Sequence, residues 1–289
     1  MQRSRDRIWW LGALVALVAP LALLPAGVAR ANDSAAGLDG GQLVLKQAAD
    51  IRMVSEDLFL SMKEVRIRYE FRNTGKKDVE TIVAFPLPPM PLKADLEEGI
   101  VDNVTYDPAS NNPLDFVCRV DGQIVTTKIE RKAVKDGKGK DSGATLTYFW
   151  TQKFPAGRTI VVEHSYKPAL WQSFAPKPEP EDTARFCIDA AGRKALDEIA
   201  RTDRVKVYFA NGLNYILKTA RNWSGPIGDF HLTIDKGDPK NVLSLCIDGI
   251  KKTAPTRFEL RKKDFVPDKD LALLIATSRE RTPGQSPSK

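Results

Sequence analysis

The sequence predicts a mainly β protein with two consecutive antiparallel β-sandwich-like units and one short helix after the linker that joins them. Three observations predict this fold class. Apolar residues recur at every second position in many short segments, as they do in strands with one buried face. Turn dipeptides that contain glycine separate these segments. A proline-rich acidic stretch, SFAPKPEPED, interrupts the pattern beyond the middle of the chain.

The N-terminal 31 residues predict an export signal. Three arginines precede an apolar run at 8–24, and Ala29-Arg30-Ala31 supplies the small residues of a cleavage site. We expect cleavage between Ala31 and Asn32. The alternative is an uncleaved anchor, because the apolar stretch 8–28 is long enough to span a bilayer. Both readings predict that the rest of the chain crosses the inner membrane.

The N-terminal unit, 32–170, is predicted from strand signals in sequence order. Segments 65–71 and 79–85 alternate and flank a polar turn, so we predict a hairpin that ends at a run of prolines. Two further hairpins are predicted, one around Asp121-Gly122 and one around the turn at 154–157. Together these segments predict a sandwich-like sheet pair.

The C-terminal unit, 184–278, follows a predicted linker at 171–183. Asp189 is placed to cap a helix that runs to about residue 201. Strand signals then return, with Asn211-Gly212 as the clearest type I′ turn signal of the chain.

The end of the chain completes the predicted organisation. Residues 271–276 form a short apolar run that closes a sheet, and 279–289 are predicted to be a disordered tail. One continuous elongated β-structure is the alternative to two separate units.

Net charge limits the classes of partner. The whole chain carries a formal net charge of +7, and removing 1–31 takes away four basic residues and one acidic residue, which leaves about +4. A mildly basic exported protein suits loose attraction to anionic envelope polymers, and we expect no nucleic-acid partner. No later apolar run is long enough to cross a bilayer, so we expect no stable membrane anchor after cleavage.

Three cysteines predict one disulfide and one free thiol. Cys187 and Cys246 lie in the matching contexts Phe-Cys-Ile-Asp and Leu-Cys-Ile-Asp, and we pair them. Cys118 lies on the apolar face of an alternating segment, so we interpret it as a buried small hydrophobic residue. The cysteines and the two histidines have no metal-ligand spacing, and we expect neither a metal site nor a cofactor.

No set of residues forms a convincing catalytic site, so the interpretation leans against an enzyme and we assign no catalytic residue. His164 and His231 follow strand patterns and are interpreted as structural. A hydrolase would use acids such as Glu163, Glu97 or Glu98, whose separation in space the sequence does not give.

A basic segment is the one candidate binding patch. A lipopolysaccharide or another anionic glycan would suit it, and a solvated loop is the alternative. Its members are Lys128, Arg131, Lys132, Lys135, Lys138 and Lys140. Trp150, Trp171 and Trp223 are interpreted as packing residues rather than a platform for sugar stacking.

Six short segments follow one another along the mature chain: an Asn-Asp-Ser start at 32–34, SEDLFLS at 55–61, VRIRYEFRNTGKKDV at 65–79, AFPLP at 84–88, FPAGRTIVVEHSYKP at 154–168 and SLCIDGIKKTAPTRFELRKKDFVPDKDLALL at 244–274. Together they resemble the bacterial secreted family of unknown function numbered 4424, over nearly the whole mature chain. The resemblance implies an exported, periplasmic protein. It brings no activity, substrate or catalytic residue with it.

A weaker similarity covers only the N-terminal unit. Its strand, turn and FPLP sequence, followed by a Val-Asp-Gly hairpin, resemble the VIT domain, a β-sandwich module of secreted and matrix proteins. The later part of that domain is not recognisable, because the lysine-rich segment replaces it. Similarity of fold alone implies no function.

The leading hypothesis is therefore a periplasmic, non-catalytic module that binds another envelope protein or an anionic glycan. One alternative is a secreted hydrolase that acts on envelope polysaccharide. A second alternative is a structural subunit that pairs with its partner through a free strand edge.

Overall fold

A computed structural model describes residues 33–39, 42–91, 110–203 and 205–278. Within these ranges the chain is mainly β, as predicted. Its strands are β1 (Ser34–Asp39), β2 (Gln42–Leu45), β3 (Ile51–Ser61), β4 (Val65–Asn73), β5 (Val79–Pro86), β6 (Met90–Pro91), β7 (Val117–Val120), β8 (Gln123–Val125), β9 (Lys128–Lys135), β10 (Asp141–Phe154), β11 (Thr159–Tyr166), β12 (Trp171–Ala175), β13 (Tyr208–Tyr215), β14 (Ile227–Asp235), β15 (Val242–Leu245), β16 (Lys251–Lys252), β17 (Arg257–Phe265) and β18 (Leu271–Thr277).

Helices are short and few in the described part of the chain. They are α1 (Pro180–Arg185), α2 (Ala190–Thr202) and a 3-10 helix at Lys218–Asn222. The predicted cap of α2 is confirmed, because a side-chain oxygen of Asp189 accepts a hydrogen bond from the Gly192 amide at 2.7 Å. The predicted signal peptide at 1–31 and the predicted tail at 279–289 lie outside the described residues.

Three sheets organise the strands. An eight-stranded sheet has the order β16-β17-β14-β3-β4-β11-β7-β8, and a six-stranded sheet has the order β2-β1-β5-β10-β6, with β9 also paired to β10. A four-stranded sheet has the order β12-β13-β18-β15. The inner faces of the two larger sheets share one core, in which Tyr69 and Phe230 meet Phe85 and Tyr148. The second core joins α2 to the four-stranded sheet.

The predicted hairpin of 65–71 with 79–85 is wrong in its pairing, although both strands exist. β4 pairs with β3 and β11, whereas β5 pairs with β1 and β10 in the other large sheet. The same correction applies to the predicted hairpin around 154–157, since β10 and β11 also lie in different sheets.

The two connections between the large sheets lie side by side and hold each other. The Asn73 amide bonds to the Arg158 carbonyl at 3.1 Å, and the Asn73 side chain donates to the Phe154 carbonyl at 2.8 Å. The Ala156 amide donates to the Asp78 carboxylate at 2.9 Å. These bonds give partners to polar groups of both corners and hold the two crossings together.

The predicted hairpin at Asp121-Gly122 is confirmed. β7 pairs with β8 through Val120 and Gln123, and Asp121 and Gly122 have φ of 47° and 81°. Positive φ at both central residues is what a type I′ turn requires.

The turn predicted at Asn211-Gly212 is wrong, because both residues lie inside β13. The glycine is needed for packing instead. The Trp171 ring lies over Gly212 so closely that a Cβ there would come within 2.0 Å of the indole. Asn211 uses its side chain within the sheet, where it donates to the Ile275 carbonyl at 3.1 Å.

The strand pairing crosses the boundary between the two predicted units. β14 pairs in parallel with β3 from Asp229 opposite Ser55 to Asp235 opposite Ser61, within one sheet. The range 171–183 contains β12, which pairs with β13, and the first part of α1. This pairing agrees with the alternative of one continuous β-structure. The division into separate domains at 32–170 and 184–278 stays a prediction.

Candidate functional site

The outer face of the eight-stranded sheet is the surface that faces away from the shared core. On β4 the even positions Arg66, Arg68 and Arg72 are exposed, whereas the odd positions are buried. This follows from the period of a strand, in which neighbouring residues point to opposite faces. The outer face therefore carries a dense array of charged side chains.

Strand register places opposite charges next to each other on most of this face. Arg68 lies opposite Asp57 on β3 and opposite Glu163 on β11, and Glu163 lies opposite Arg119 on β7. His231 of β14 lies opposite Asp57, with 3.4 Å between Nδ1 and Oδ1. Opposite charges at directly opposed positions stabilise a sheet.

The strongest ion pairs of the face centre on Asp229. Its carboxylate accepts bonds from Arg261, with the Nε at 2.8 Å, and from Lys263, with the Nζ at 2.8 Å. The hydrogen bonds from Arg261 and then from Lys263 hold the pKa of the Asp229 carboxyl well below its usual range. Asp229 is therefore ionised at every physiological pH.

Two grooves open on the outer face. The first has a volume of about 860 Å³, and its charged lining residues are Arg52, Glu70, Arg72, Asp229 and Lys263. The second has a volume of about 530 Å³, and its lining includes Asp57, Arg66, Arg68, Arg119, Glu163 and His231. Both volumes lie in the range of about 300–1,000 Å³ that is typical of small-molecule sites.

A bulge shapes the floor of the first groove. The register of β3 against β4 shifts between Met53 and Ser55, so Val54 has no direct partner on β4. Gly228 of β14 approaches this bulge so closely that a Cβ there would lie 2.6 Å from the Val54 carbonyl oxygen. Glycine at 228 is therefore required for β14 to pair with β3 at this point.

The predicted basic patch lies elsewhere, on and beside β9. Lys128 and Lys132 point to one face of this strand, and Arg131 and Lys135 point to the other face. Lys138 and Lys140 lie in the turn that follows β9. The six residues are thus distributed over two faces and a turn.

Two members of that patch have partners nearby. Lys132 lies 3.1 Å from the Glu130 carboxylate, and Glu130 in turn accepts a bond from the Leu43 amide at 2.9 Å. Arg131 donates to the Ser110 carbonyl. These contacts tie the charged side chains to neighbouring chain segments.

The predicted disulfide is present. Cys187 is bonded to Cys246 across a sequence separation of 59, which links the connection between α1 and α2 to the end of β15. Cys118 is a buried free cysteine, as predicted, and burial raises the pKa of its thiol well above the usual range. The predicted cleavage site at Ala31 and Asn32 and the acids Glu97 and Glu98 lie outside the described residues.

His164 is buried in the shared core, as its strand pattern predicts. Its Nε2 lies 2.9 Å from Oδ1 of Asp33, and the backbone oxygen of Asp33 accepts a bond from the Trp223 indole. Within the described residues, Nδ1 of His164 and Oδ2 of Asp33 have no hydrogen-bond partner. Burial raises the pKa of Asp33, and the neighbouring His164 opposes this shift.

A second buried polar group lies in the same core. The hydroxyls of Tyr69 and Tyr215 are 3.1 Å apart, and Tyr215 donates to the Glu56 carboxylate at 3.2 Å. Glu56 is completely buried. Burial is the main cause that raises the pKa of both tyrosines well above the usual range. This group has no opening to solvent, so it is interpreted as structural.

The ranges that the structure describes contain no group of three or more His, Cys, Asp or Glu side chains that could hold a metal ion. No helix in these ranges is long and apolar enough to cross a membrane.

The sequence pattern of a known family matches almost all of the chain. The family is described as "Domain of unknown function (DUF4424)", and it matches residues 31–147 and 143–274. The chain belongs to this family.

Two further comparisons of this DUF4424 protein concern solved structures and curated proteins. A solved structure from Legionella pneumophila, titled as a "putative nutrient binding protein", is 18% identical with a TM-score of 0.48, over 86% of this chain and 70% of that chain. No curated protein matches the sequence.

The outer face was not among the candidate sites predicted from the sequence. The alternation of arginines in 65–73 placed one face of β4 in water, and this signal was sufficient to find Arg66, Arg68 and Arg72. It was not sufficient to find Arg52 and Lys263, because their proximity depends on which strands pair.

Proposed function

We propose that this DUF4424 protein is an exported, non-catalytic binding protein of the periplasm, and that the outer face of the eight-stranded sheet binds a component of the cell envelope. The observation that carries the proposal is this face itself. It is broad, charged and open to solvent, and it contains two grooves of about 860 and 530 Å³.

Arginine is the most frequent cation of this face, and it favours polar and anionic ligands. Its guanidinium presents several donors in a fixed plane, which suits phosphate, carboxylate and the polar surface of a partner. In the second groove the Arg66 guanidinium also lies over the Phe59 ring, 4.3 Å from its centroid. An amphipathic contact of this kind is typical of binding surfaces.

The disulfide supports the proposed location. Bonds such as Cys187–Cys246 persist in oxidising compartments and are rare in the cytosol. The predicted signal at 1–31 gives the route to such a compartment.

A thermal-shift screen tests the binding proposal. Residues 32–289 are mixed with envelope glycans, peptidoglycan fragments and envelope protein extracts. A ligand at 100 times its dissociation constant stabilises the native state by about 2.7 kcal/mol, which is a shift of several degrees. We expect such a shift to be lost in Arg72→Glu if the ligand binds in the first groove or in Arg119→Glu if it binds in the second groove, and to be kept in Arg193→Glu on α2.

Two results of this screen would contradict the proposal. A ligand whose shift survives charge reversal in both grooves, by Arg72→Glu and by Arg119→Glu, would place the binding surface elsewhere. Turnover of an envelope polysaccharide that disappears in Glu163→Gln would make the protein a hydrolase.

Mass spectrometry of the periplasmic fraction tests the location. We expect a chain that begins at Asn32 and has a mass about 2 Da below that of the reduced chain, because one disulfide has formed. A chain that still begins at Met1, recovered with the membranes, would contradict both cleavage and release.

A further inference from the structure

On β3, β4 and β11, one pair of directly facing charged side chains has like charges, and this pair lies in the first groove. Arg52 of β3 lies directly opposite Arg72 of β4. Directly opposed side chains of an antiparallel pair are about 4.5–5.5 Å apart at Cβ, and like charges there are destabilising. The next outward position of β4 is Glu70, and beyond it Arg68 lies between two acids, Asp57 and Glu163. The arginine pair thus departs from the charge pattern of its own sheet.

The carboxylates of the groove are already paired with other cations. Glu70 lies 2.8 Å from Nη1 of Arg68, and Asp229 is held by Arg261 and Lys263. Arg52 has a longer contact, 3.5 Å, with the exposed Asp264. Within the described residues Arg72 has no ion pair. Of the two opposed arginines, only Arg52 therefore has an ion pair in the described residues.

The charge that lines the groove has a positive excess. Three cations and two carboxylates line it, which leaves one positive charge in excess: Arg52, Arg72 and Lys263 against Glu70 and Asp229. An anionic ligand compensates this excess, and the planar guanidinium groups of two arginines suit the oxygens of a phosphate.

The size and the uncharged lining of the groove indicate more than a bare ion. Its volume of about 860 Å³ suits a drug-sized molecule, and Ser55 and Thr74 contribute hydroxyl groups to its wall. Hydroxyl groups donate and accept hydrogen bonds, which suits a hydroxylated ligand.

We propose that the first groove binds a phosphorylated saccharide, with its phosphate between the guanidinium groups of Arg52 and Arg72. Guanidinium forks match phosphate oxygens in a bidentate manner, and Lys263 adds a third cation nearby. The ligand brings negative charge to Arg72, which has no ion pair in the described residues, and to Arg52 on the neighbouring strand. This assignment rests on the proposed function, because it names the ligand of one part of the same face.

Isothermal titration calorimetry of residues 32–289 with a hexose 6-phosphate, the parent hexose and inorganic phosphate tests the assignment. We expect the hexose phosphate to bind more tightly than inorganic phosphate and the hexose to give no heat of binding. We expect Arg72→Gln to weaken hexose phosphate binding by about tenfold or more, because it removes a charged hydrogen-bonding group. Arg72→Lys keeps the charge without the fork and should weaken binding by an intermediate factor. Arg193→Gln, an exposed change on α2, is the matched control and should leave the affinity unchanged.

The unliganded protein provides an independent measurement. Because Arg72 faces a like charge and has no ion pair in the described residues, Arg72→Gln without ligand should melt at the wild-type temperature or above it.

A ligand that binds as a dianion should also bind more tightly as the pH rises from 5 to 8, since the second ionisation of phosphate lies near pH 6 and arginine stays charged.

Three outcomes would overturn the assignment. Equal affinity of wild type and Arg72→Gln for the hexose phosphate would exclude the groove as its site. Equal affinity for inorganic phosphate and hexose phosphate would remove the saccharide from the assignment and leave an ion site. A lower melting temperature of unliganded Arg72→Gln would show that the arginine pair stabilises the fold. In each case binding of another envelope ligand that is lost in Arg119→Glu would leave the proposed function intact, so the two failures are distinguishable.

Discussion

Oδ1 of Asp33 lies 2.9 Å from Nε2 of His164, and neither side chain is exposed to solvent. Four aromatic rings surround the imidazole, with centroids between 5.0 and 5.7 Å from it: Tyr69, Phe85, Phe116 and Trp150. Such a pair is costly to bury, because both groups lose their hydration. The raised pKa of Asp33 reflects this cost, and His164 only partly offsets it.

The first prediction concerns the pH dependence of stability. An acid whose pKa is raised in the folded state contributes stability below its usual pKa, near 3.8, and loses it as the pH rises through the folded value. The substitution Asp33→Asn removes the titrating carboxyl group. We therefore expect the free energy of unfolding of the wild type, relative to Asp33→Asn, to fall as the pH rises from about 4 to 7. Urea denaturation at a series of pH values measures this difference.

Asp33→Ala is the companion variant for that measurement. It leaves Nε2 of His164 without its partner, so it should lower the free energy of unfolding by about 1–3 kcal/mol over the whole range. If the advantage of the wild type over Asp33→Asn instead grows as the pH rises, the attraction to His164 outweighs the burial of the carboxylate.

The second prediction concerns the disulfide. In the chain-entropy model, closing a loop with a separation of 59 stabilises the fold by about 4 kcal/mol. The double variant Cys187→Ser, Cys246→Ser should therefore melt about 10 °C below the wild type. Differential scanning calorimetry measures the change. Cys118→Ala, which breaks no bridge, is the control, and a larger loss in this control would mean that packing around Cys118 matters more than the bridge.

The third prediction concerns two glycines that have no room for a side chain. Gly212→Ala places a Cβ 2.0 Å from the Trp171 indole, and Gly228→Ala places one 2.6 Å from the Val54 carbonyl oxygen. Each should lower the free energy of unfolding by about 1–3 kcal/mol, because the neighbouring strands must shift. Gly137→Ala meets no atom within 4 Å and should change it by less than about 0.5 kcal/mol. Chemical denaturation compares the three variants, and equal stability of all three would mean that the packing at Trp171 and Val54 adapts freely.

The fourth prediction concerns the independence of the N-terminal range. A chain of residues 32–170 lacks β14, so the long strand β3 becomes an open edge, and the shared core loses Phe230 and Leu232. We expect this fragment to show no cooperative thermal transition by circular dichroism and to self-associate in size-exclusion chromatography. A monomer that melts cooperatively near the temperature of residues 32–289 would support the predicted separate domain instead.

Local sequence patterns predicted the strands of this fold better than they predicted which strands pair with each other. The apolar and polar alternation of 65–71 and of 79–85 predicted β4 and β5, because a half-buried strand has a period of two. The same local signals assumed that neighbours in sequence pair with each other. β4 and β5 do not pair with each other. The connection between them instead bonds to the corner between β10 and β11, through Asn73 and Asp78, and that corner is far away in sequence.

The Asn211-Gly212 dipeptide shows why turn signals fail in some positions. The two residues are suited to positive φ, but glycine also serves where an aromatic ring comes close. Trp171, forty residues earlier, supplies that ring, and no local pattern reports it. The disulfide was predictable because its two cysteines carry matching neighbours.

The candidate groove was only half predictable, for the same reason. The exposure of Arg72 follows from the alternation of β4, whereas its position opposite Arg52 follows from register. The bulge at Val54 and the parallel approach of β14 bring in Lys263. None of these relations leaves a local trace in the sequence.

The parallel pairing of β14 with β3 also sets the order in which the molecule is completed. Ser55 is synthesised long before Asp229, its neighbour across the sheet. At about 5–20 residues per second, β3 waits roughly 10–35 s for the strand that covers its edge. Contacts between such distant positions raise contact order and slow folding. The edge of β3 therefore stays uncovered until nearly all of the chain is available for pairing.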